Sequence, residues 1–175
     1  MKDAVHQHWS NKLQEDARTM SSLSLMNIDA CSTRHLHPVW RNLMCPLSIR
    51  KASVKALLLT KRYPLTTCPT SGQKRSDVCP LCKAEPETVP HFVLSCDALF
   101  KARLPYLKRI LQTCRINCIS IDPETLVKII LDSTFLPPEY LSDHEKVCRD
   151  FLFKLHSERA MLLGGNSEYK NFAIC

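Results

Sequence analysis

The chain has 175 residues, a net charge of +7 and 45% hydrophobic residues, which suits one small domain with its own core. Its three glycines are too few for a hairpin-rich β architecture, so the composition predicts a mainly α fold with little or no sheet. No aliphatic run approaches the ~18 residues of a membrane span, and the N-terminus has no apolar stretch typical of a signal peptide. The ten cysteines therefore favour free or metal-bound thiols in an intracellular protein, nuclear or cytoplasmic and not secreted.

The first segment, residues 1–47, predicts a helix followed by irregular chain. Trp9, Leu13 and Ala17 repeat every four residues, which indicates a helix over about residues 1–25. The irregular part, 26–46, contains four side chains that resemble a second metal set: Cys31, His35, His37 and Cys45. Their spacing, C-x3-H-x-H-x7-C, fits no common metal site, which favours locally satisfied residues and free thiols.

The second segment, residues 48–118, opens with a basic helix. Between Ala30 and Ser76 there are nine basic residues and no acidic one, whereas the rest of the chain has fifteen basic and seventeen acidic residues. A helix is predicted over 48–62, with Lys51, Lys55 and Arg62 on one stripe. This asymmetry predicts a surface for a polyanion, with an ordinary solvated face as the alternative. The predicted nucleic-acid contacts are Arg50, Lys51, Lys55, Lys61, Arg62, Lys74, Arg75 and Lys83.

The same segment contains the most specific motif of the chain, C-x2-C-x8-H-x4-C, formed by Cys79, Cys82, His91 and Cys96. Two residues between cysteines allow a tight turn to aim both sulfurs at one point, and Cys3His is a common closed set for structural zinc. A closed set has no open position for a catalytic water, so one structural zinc ion is predicted. A redox pair would be expected in a βαβ context, which the sequence does not have.

The second half of the motif constrains the local backbone. Thr88 is predicted to cap a short helix that contains His91. Five residues of a regular helix turn about 500°, so Cys96 would point about 140° away from His91. Both side chains reach one metal only if the helix breaks or unwinds near residues 94 and 95, and that break is predicted. Three thiolates and Zn²⁺ carry a net charge near −1, which the basic side chains nearby would offset.

The third segment, 119–175, is predicted to form a helical tail after a helix that runs from Asp97 to about Cys114. Leu104, Leu107, Leu111, Cys114 and Cys118 repeat with three-four spacing and predict the buried face of that earlier helix. In the tail, short and long helices are predicted over about 122–132 and 142–163. The predicted buried face of the long helix consists of Val147, Cys148, Phe151 and Leu155.

The residues from about Leu36 to Arg103 resemble the C-terminal zinc-knuckle (CCHC) region of non-LTR retrotransposon reverse transcriptase polyproteins. The resemblance rests on Leu57-Leu-Leu-Thr-Lys-Arg-Tyr-Pro-Leu65, on Cys79-Pro-Leu-Cys82, on Glu87-Thr-Val-Pro-His-Phe-Val-Leu-Ser-Cys96 and on Arg103. His37-Pro-Val-Trp40 is similar to a motif of related sequences. One departure is Lys61, which stands where glycine is usual in that family.

The resemblance implies a zinc module that assists engagement of template RNA or target DNA, next to an upstream reverse transcriptase domain. It does not imply catalysis, because the chain has no Asp-Asp pair for a polymerase metal site and no phosphate-binding glycine loop. Two alternatives stay open from the sequence. The chain could be a zinc-stabilised protein-interaction adaptor, or a remnant of a transposable element with no function of its own.

Overall fold

The computed structural model describes residues 2–30, 35–67, 77–117, 119 and 121–164. Five α-helices dominate this part of the chain: α1 Lys2–Thr19, α2 Pro46–Leu59, α3 Phe100–Ile116, α4 Pro123–Leu131 and α5 Pro138–Leu162. Short 3₁₀ turns occupy Ser21–Leu23, Ile28–Ala30, Pro38–Trp40, Asp97–Leu99 and Ser133–Phe135, and a π-helical turn occupies His91–Ser95. The described residues contain one isolated β-bridge, between Val78 and Pro86, so the predicted mainly α fold is confirmed.

Helix α5 lies at the centre of the fold, packed against α2 and against α3. Its predicted inward residues Val147, Cys148, Phe151 and Leu155 are all buried. They join one core that also includes Cys79 and residues of α2, α3 and α4. The C-x2-C-x8-H-x4-C motif therefore shares one set of buried residues with the long helix.

Several helix ends differ from the sequence-based expectation by a few residues. Helix α2 begins at Pro46, because the Cys45 backbone N–H donates to Ser48 Oγ and the Ser48 hydroxyl donates back to the Cys45 carbonyl. Ser48 therefore closes the cap from inside the first turn. Helix α5 begins at Pro138, which suits a first helical position because it has no N–H to satisfy. Gly164 ends α5 with a φ of +76°, as predicted.

Lys61, which stands where the resembling family has glycine, occupies a left-handed position at the end of α2. Arg62 N–H donates to the Leu57 carbonyl at 2.7 Å and Lys61 N–H donates to the Leu58 carbonyl at 3.1 Å, which is a Schellman motif. That motif requires a left-handed residue, and Lys61 has a φ of +53°. A side chain at this φ costs about 1–2 kcal/mol relative to the right-handed region, whereas glycine adopts it freely.

Replacing Lys61 with glycine is therefore expected to stabilise the protein by about 1 kcal/mol, measured by urea denaturation. The matched control is Thr60→Gly, one residue earlier, where φ is −92°. That change is expected to destabilise by at least about 0.5–1 kcal/mol, since glycine there adds backbone freedom to the unfolded chain and removes the hydrogen bond from the Thr60 hydroxyl to the Ala56 carbonyl. Equal effects of the two substitutions would contradict the role of the left-handed turn.

A buried carboxylate holds the N-terminal segment on the core. Asp132 accepts hydrogen bonds from the backbone N–H of Asn27 at 2.7 Å, from His37 Nε2 at 3.2 Å and from the Thr134 hydroxyl at 2.7 Å. These donors outweigh the effect of burial and lower the pKa of the Asp132 carboxyl. His37 is thus used by a structural contact, and Cys31 of the same four-residue pattern lies outside the described residues.

A second buried group makes stability depend on pH. Burial, with the charge of Lys55 nearby, lowers the pKa of His144 to about 4 from its usual 6.5, although its ring N–H donates to the Ile129 carbonyl. The unfolded chain therefore binds a proton at pH 5 that the folded protein does not. This contribution to stability is fully present above about pH 6.5 and is lost as pH falls to about 4.

We expect the His144→Gln variant to lose this part of the pH dependence, because glutamine can still donate to the Ile129 carbonyl but does not titrate. The free energy of unfolding of both proteins is measured between pH 7 and pH 4. The difference between the two curves isolates His144, since all other titrating groups are common to both. Parallel curves would contradict the prediction.

Candidate metal centre

A tight turn presents the first two cysteines. The Lys83 N–H donates to the Cys79 carbonyl at 2.9 Å, and the Cys79 N–H donates to the Glu85 carbonyl at 2.7 Å. Lys83 has a φ of +58°, a conformation that side chains rarely adopt and that folds the chain back after Cys82. The bridge between Val78 and Pro86 closes the base of the loop. Both sulfurs of the C-x2-C pair are thereby fixed on one side of the turn.

The predicted break of the second ligand-bearing helix is a π-helical turn over His91–Ser95. Cys96 N–H donates to the His91 carbonyl at 2.8 Å, a five-residue spacing that is wider than that of an α-helix. Cys96 itself leaves helical geometry with ψ of 115°. Thr88 caps the start of the turn, as predicted, because its Oγ1 accepts from the His91 N–H. The wider turn brings Cys96 back to the same side as His91.

The four side chains converge on one point. Their ligand atoms all lie within 4.8 Å of one another. The Sγ atoms of Cys79 and Cys96 are 3.8 Å apart, and Cys82 Sγ is 3.3 Å from His91 Nε2. Two sulfurs that each lie about 2.3 Å from a tetrahedral ion are about 3.8 Å apart, whereas a disulfide would need about 2.05 Å. The cluster is therefore compatible with one bound metal ion.

The histidine is oriented for coordination through Nε2. His91 Nδ1 lies 3.0 Å from Glu85 Oε2, so its N–H donates to the carboxylate and leaves the Nε2 lone pair directed at the cysteines. A carboxylate behind a metal-binding imidazole fixes the tautomer and increases its basicity. Glu85 is mostly exposed and makes this contact from the surface. Glu85 lies only three residues after Cys82, but its role could not be predicted from the spacing of the motif.

Two of the thiols differ strongly in acidity. Burial disfavours the Cys82 thiolate, but the backbone amides of Ala84 and Glu85 outweigh it and lower its pKa to about 7. Burial, with negative charge at Cys79, raises the pKa of the Cys96 thiol to about 12. Three adjacent thiolates are electrostatically unfavourable without a cation between them. A divalent ion would supply that charge and displace the remaining thiol protons.

A buried arginine links the centre to the next helix. Arg103, in α3, donates from Nε to the Val93 carbonyl and from Nη2 to the Cys96 carbonyl, both at 2.9 Å. These carbonyls lie in and after the π-helical turn, where regular helix bonding stops. Arg103 thus has a structural role beside the cluster. In the sequence, only the resemblance marks this arginine.

A buried ion pair between Glu87 and Arg159 connects the segment between Cys82 and His91 to α5. Arg159 donates two hydrogen bonds to Glu87, at 2.8 and 3.0 Å, and both side chains are almost fully buried. The second Glu87 oxygen also accepts from the Thr66 backbone N–H at 2.9 Å. Tyr63 stacks on Phe92 close to the same arginine. Tyr63, Glu87 and Phe92 all belong to the segments that resemble the zinc-knuckle region, and all three are buried in the core.

The predicted basic stripe of α2 is wrong in its central residue. Lys55 is fully buried, and its Nζ donates to Glu145 Oε2 at 2.7 Å. Helix α2 contacts α5, α4 and the turn at residues 38–40, so its buried side covers the arc that contains Lys51 and Lys55. Lys51 is 27% exposed and pairs with Asp150 at 2.7 Å. Neither side chain provides free positive charge.

The other predicted contacts have mixed outcomes. Arg50, Lys61, Arg62 and Lys83 are exposed, as a contact surface requires. Lys74 and Arg75 lie outside the described residues, as does Cys118. In α3, Cys114 is buried as predicted, but Leu104 is half exposed and does not belong to the buried face.

No protein-family model, curated protein or solved structure matches the chain. Among the described helices, none combines the length and the apolarity that crossing a bilayer requires. The geometry of the centre is therefore the main structural observation that bears on function.

Proposed function

We propose that the protein is a non-catalytic zinc module that contacts nucleic acid through a basic surface. The convergence of Cys79, Cys82, His91 and Cys96 is the observation that carries the first half of this proposal. Thiolate and imidazole ligands in a tetrahedral arrangement favour zinc among the common divalent ions. All four positions come from protein side chains, so the ion would stabilise the fold and would not activate a water.

The proposed contact with nucleic acid rests on charge. The exposed residues Arg50, Lys61, Arg62 and Lys83 lie on the ends of α2 and on the knuckle turn, within a stretch that has few acidic residues. Lys61 shares a cavity of about 330 Å³ with Thr88 and Pro90, so the end of α2 and the start of the ligand-bearing turn are neighbours. Contacts of this kind position a phosphate backbone and do not read base sequence.

This proposal agrees with the resemblance to the zinc-knuckle region of retrotransposon reverse transcriptase polyproteins. In such a polyprotein the module would lie next to a polymerase domain and help to engage template RNA or target DNA. The chain itself would then act as a binding region without polymerase or endonuclease chemistry. One structural Zn²⁺ and nucleic acid are the proposed cofactor and partner.

The proposal is tested by fluorescence anisotropy with labelled duplex DNA and single-stranded RNA across a range of salt concentrations. If about six basic side chains meet phosphates of a duplex, the log–log slope of affinity against salt is expected to be near −5. An uncharged polymer of similar size serves as the non-binding control. Absence of binding to either nucleic acid at low salt would remove this half of the proposal.

A protein-interaction adaptor is the second candidate, and the exposed apolar side chains of α1 favour it. Val5, Trp9 and Leu13 are each about half exposed on one side of that helix. Charge reversal at Arg50, Lys61 and Arg62 distinguishes the two functions. Affinity for nucleic acid is expected to fall under the first proposal, whereas an adaptor that binds through α1 would keep its partner.

A further inference from the structure

Helix α3 carries the strongest uncompensated charge in the described chain. Its seventeen residues include five basic side chains and no acidic one. Arg103 is buried, and the other four, Lys101, Lys108, Arg109 and Arg115, are exposed. Among the residues that the structure describes, none of these four forms an ion pair, whereas Lys51 and Lys55 of α2 are both paired.

Three of these side chains lie close to one line on an ideal helix, with Pro105 between the first two. Lys101, Lys108 and Arg115 are seven residues apart, so each step advances about 10.5 Å and drifts only about 20° around the helix. The whole row spans about 21 Å. A duplex carries one phosphate charge per about 1.7 Å of its axis. A row of this length can therefore contact phosphates in many different alignments along the duplex.

The opposite side of α3 holds the row in place. Arg103, Ile110 and Cys114 lie on that side and are buried, and Arg103 is bonded to the backbone of the metal-binding turn. Phe100, Leu104 and Ile116 of the same helix are exposed, so only part of its apolar surface packs against the core. An interfacial helix inserts an apolar face into the bilayer, so binding to anionic vesicles is one of the outcomes that the test below separates from binding to nucleic acid.

Two acidic residues lie near the N-terminal end of the row, close to Lys101. Asp97 and Glu158 line a shallow depression with Lys101, and Glu158 is paired with Lys154. These acids reduce the positive potential at that end, whereas no acidic residue follows within α3. Lys108 and Arg115 are therefore the part of the row with no acidic neighbour within α3.

We propose that the exposed row Lys101, Lys108 and Arg115 on α3 is the main surface through which this protein binds the phosphate backbone of nucleic acid. The inference rests on the proposed function and moves its centre from α2, where Lys55 is buried, to a helix for which the sequence motif gives no role. The resulting contacts are electrostatic and independent of base sequence.

The test compares two variants that each lose three positive charges. The first is Lys101→Gln/Lys108→Gln/Arg115→Gln, and the matched control is Arg50→Gln/Lys61→Gln/Arg62→Gln. Binding of labelled duplex DNA and single-stranded RNA is measured by anisotropy between about 50 and 200 mM salt. The α3 variant is expected to lose at least about tenfold in affinity, with a duplex salt slope shallower by about 3, since three contacts are removed. The control is expected to change both quantities less.

The possible outcomes separate the two proposals. If the control loses binding and the α3 variant binds as the unchanged protein does, the α3 inference is overturned and the proposed function stands. If the unchanged protein binds neither nucleic acid, both proposals fall. Binding to anionic vesicles with no binding to nucleic acid would also overturn the inference. Circular dichroism and zinc content of each variant confirm that lost affinity does not reflect lost folding.

Discussion

Replacing Cys96 with serine is expected to abolish stoichiometric zinc binding and to unfold the protein at room temperature. Structural zinc sites in small modules contribute ~10–16 kcal/mol of apparent binding free energy, whereas a whole domain is stable by only ~5–15 kcal/mol. Here Cys96 and Cys79 are buried within the main core, next to residues of α3 and α5. Loss of the ion would therefore leave thiols in the core without the charge that holds them together.

The measurement is zinc per chain after purification, together with thermal unfolding followed by circular dichroism. Cys45→Ser is the matched control, because Cys45 is an exposed free cysteine outside the cluster and serine also caps helices well. That variant should keep one zinc and its melting temperature. Chelation of the unchanged protein, followed by addition of zinc, gives the same comparison without a mutation. A full equivalent of zinc in the Cys96→Ser variant would show that the cluster is not the metal site.

The convergence of the four side chains could be predicted from the sequence because its constraints are local. Cys79 and Cys82 are joined by one turn, and His91 and Cys96 by five residues of a helix. The angle between successive helical residues is known, so a shared metal required a break, and the π-helical turn supplies it. The resemblance marked Lys61 as a departure from glycine, but the sequence did not predict that the turn before Tyr63 is kept with Lys61 in the left-handed conformation.

The burial of Lys55 in α2 could not be predicted in the same way. A helical wheel shows which side chains share a face, but not how many faces are covered. Lys55 is buried because Glu145, ninety residues away, supplies its counter-charge. Nothing near Lys55 in the sequence indicates that partner, and lysine is rarely buried without one. The segment has no acidic residue of its own, which suggested a surface for a polyanion. The acidic partners of Lys55 and Lys51 are Glu145 and Asp150, which lie on α5.

The second large effect is expected at the buried pair of Glu87 and Arg159. Their separation of seventy-two residues makes the pair a tertiary contact between the metal-binding loop and α5. Glu87→Gln preserves the shape of the side chain but leaves the guanidinium of Arg159 buried without a counter-charge. Removing one partner of such a pair typically costs about 3–5 kcal/mol. We expect this loss in the free energy of unfolding measured by urea denaturation.

The matched control is Glu158→Gln, which removes a carboxylate of the same type from a more exposed pair with Lys154, also on α5. Exposed i,i+4 pairs contribute about 0.3–0.5 kcal/mol, so this change should be almost neutral. A double variant with Arg159→Met completes the cycle and should recover part of the loss, because both charges are then absent. Glu87→Gln should also weaken competition of the protein with a zinc chelator, since Glu87 lies between the two halves of the ligand set. Equal costs at Glu87 and Glu158 would mean that the pair does not couple α5 to the metal centre.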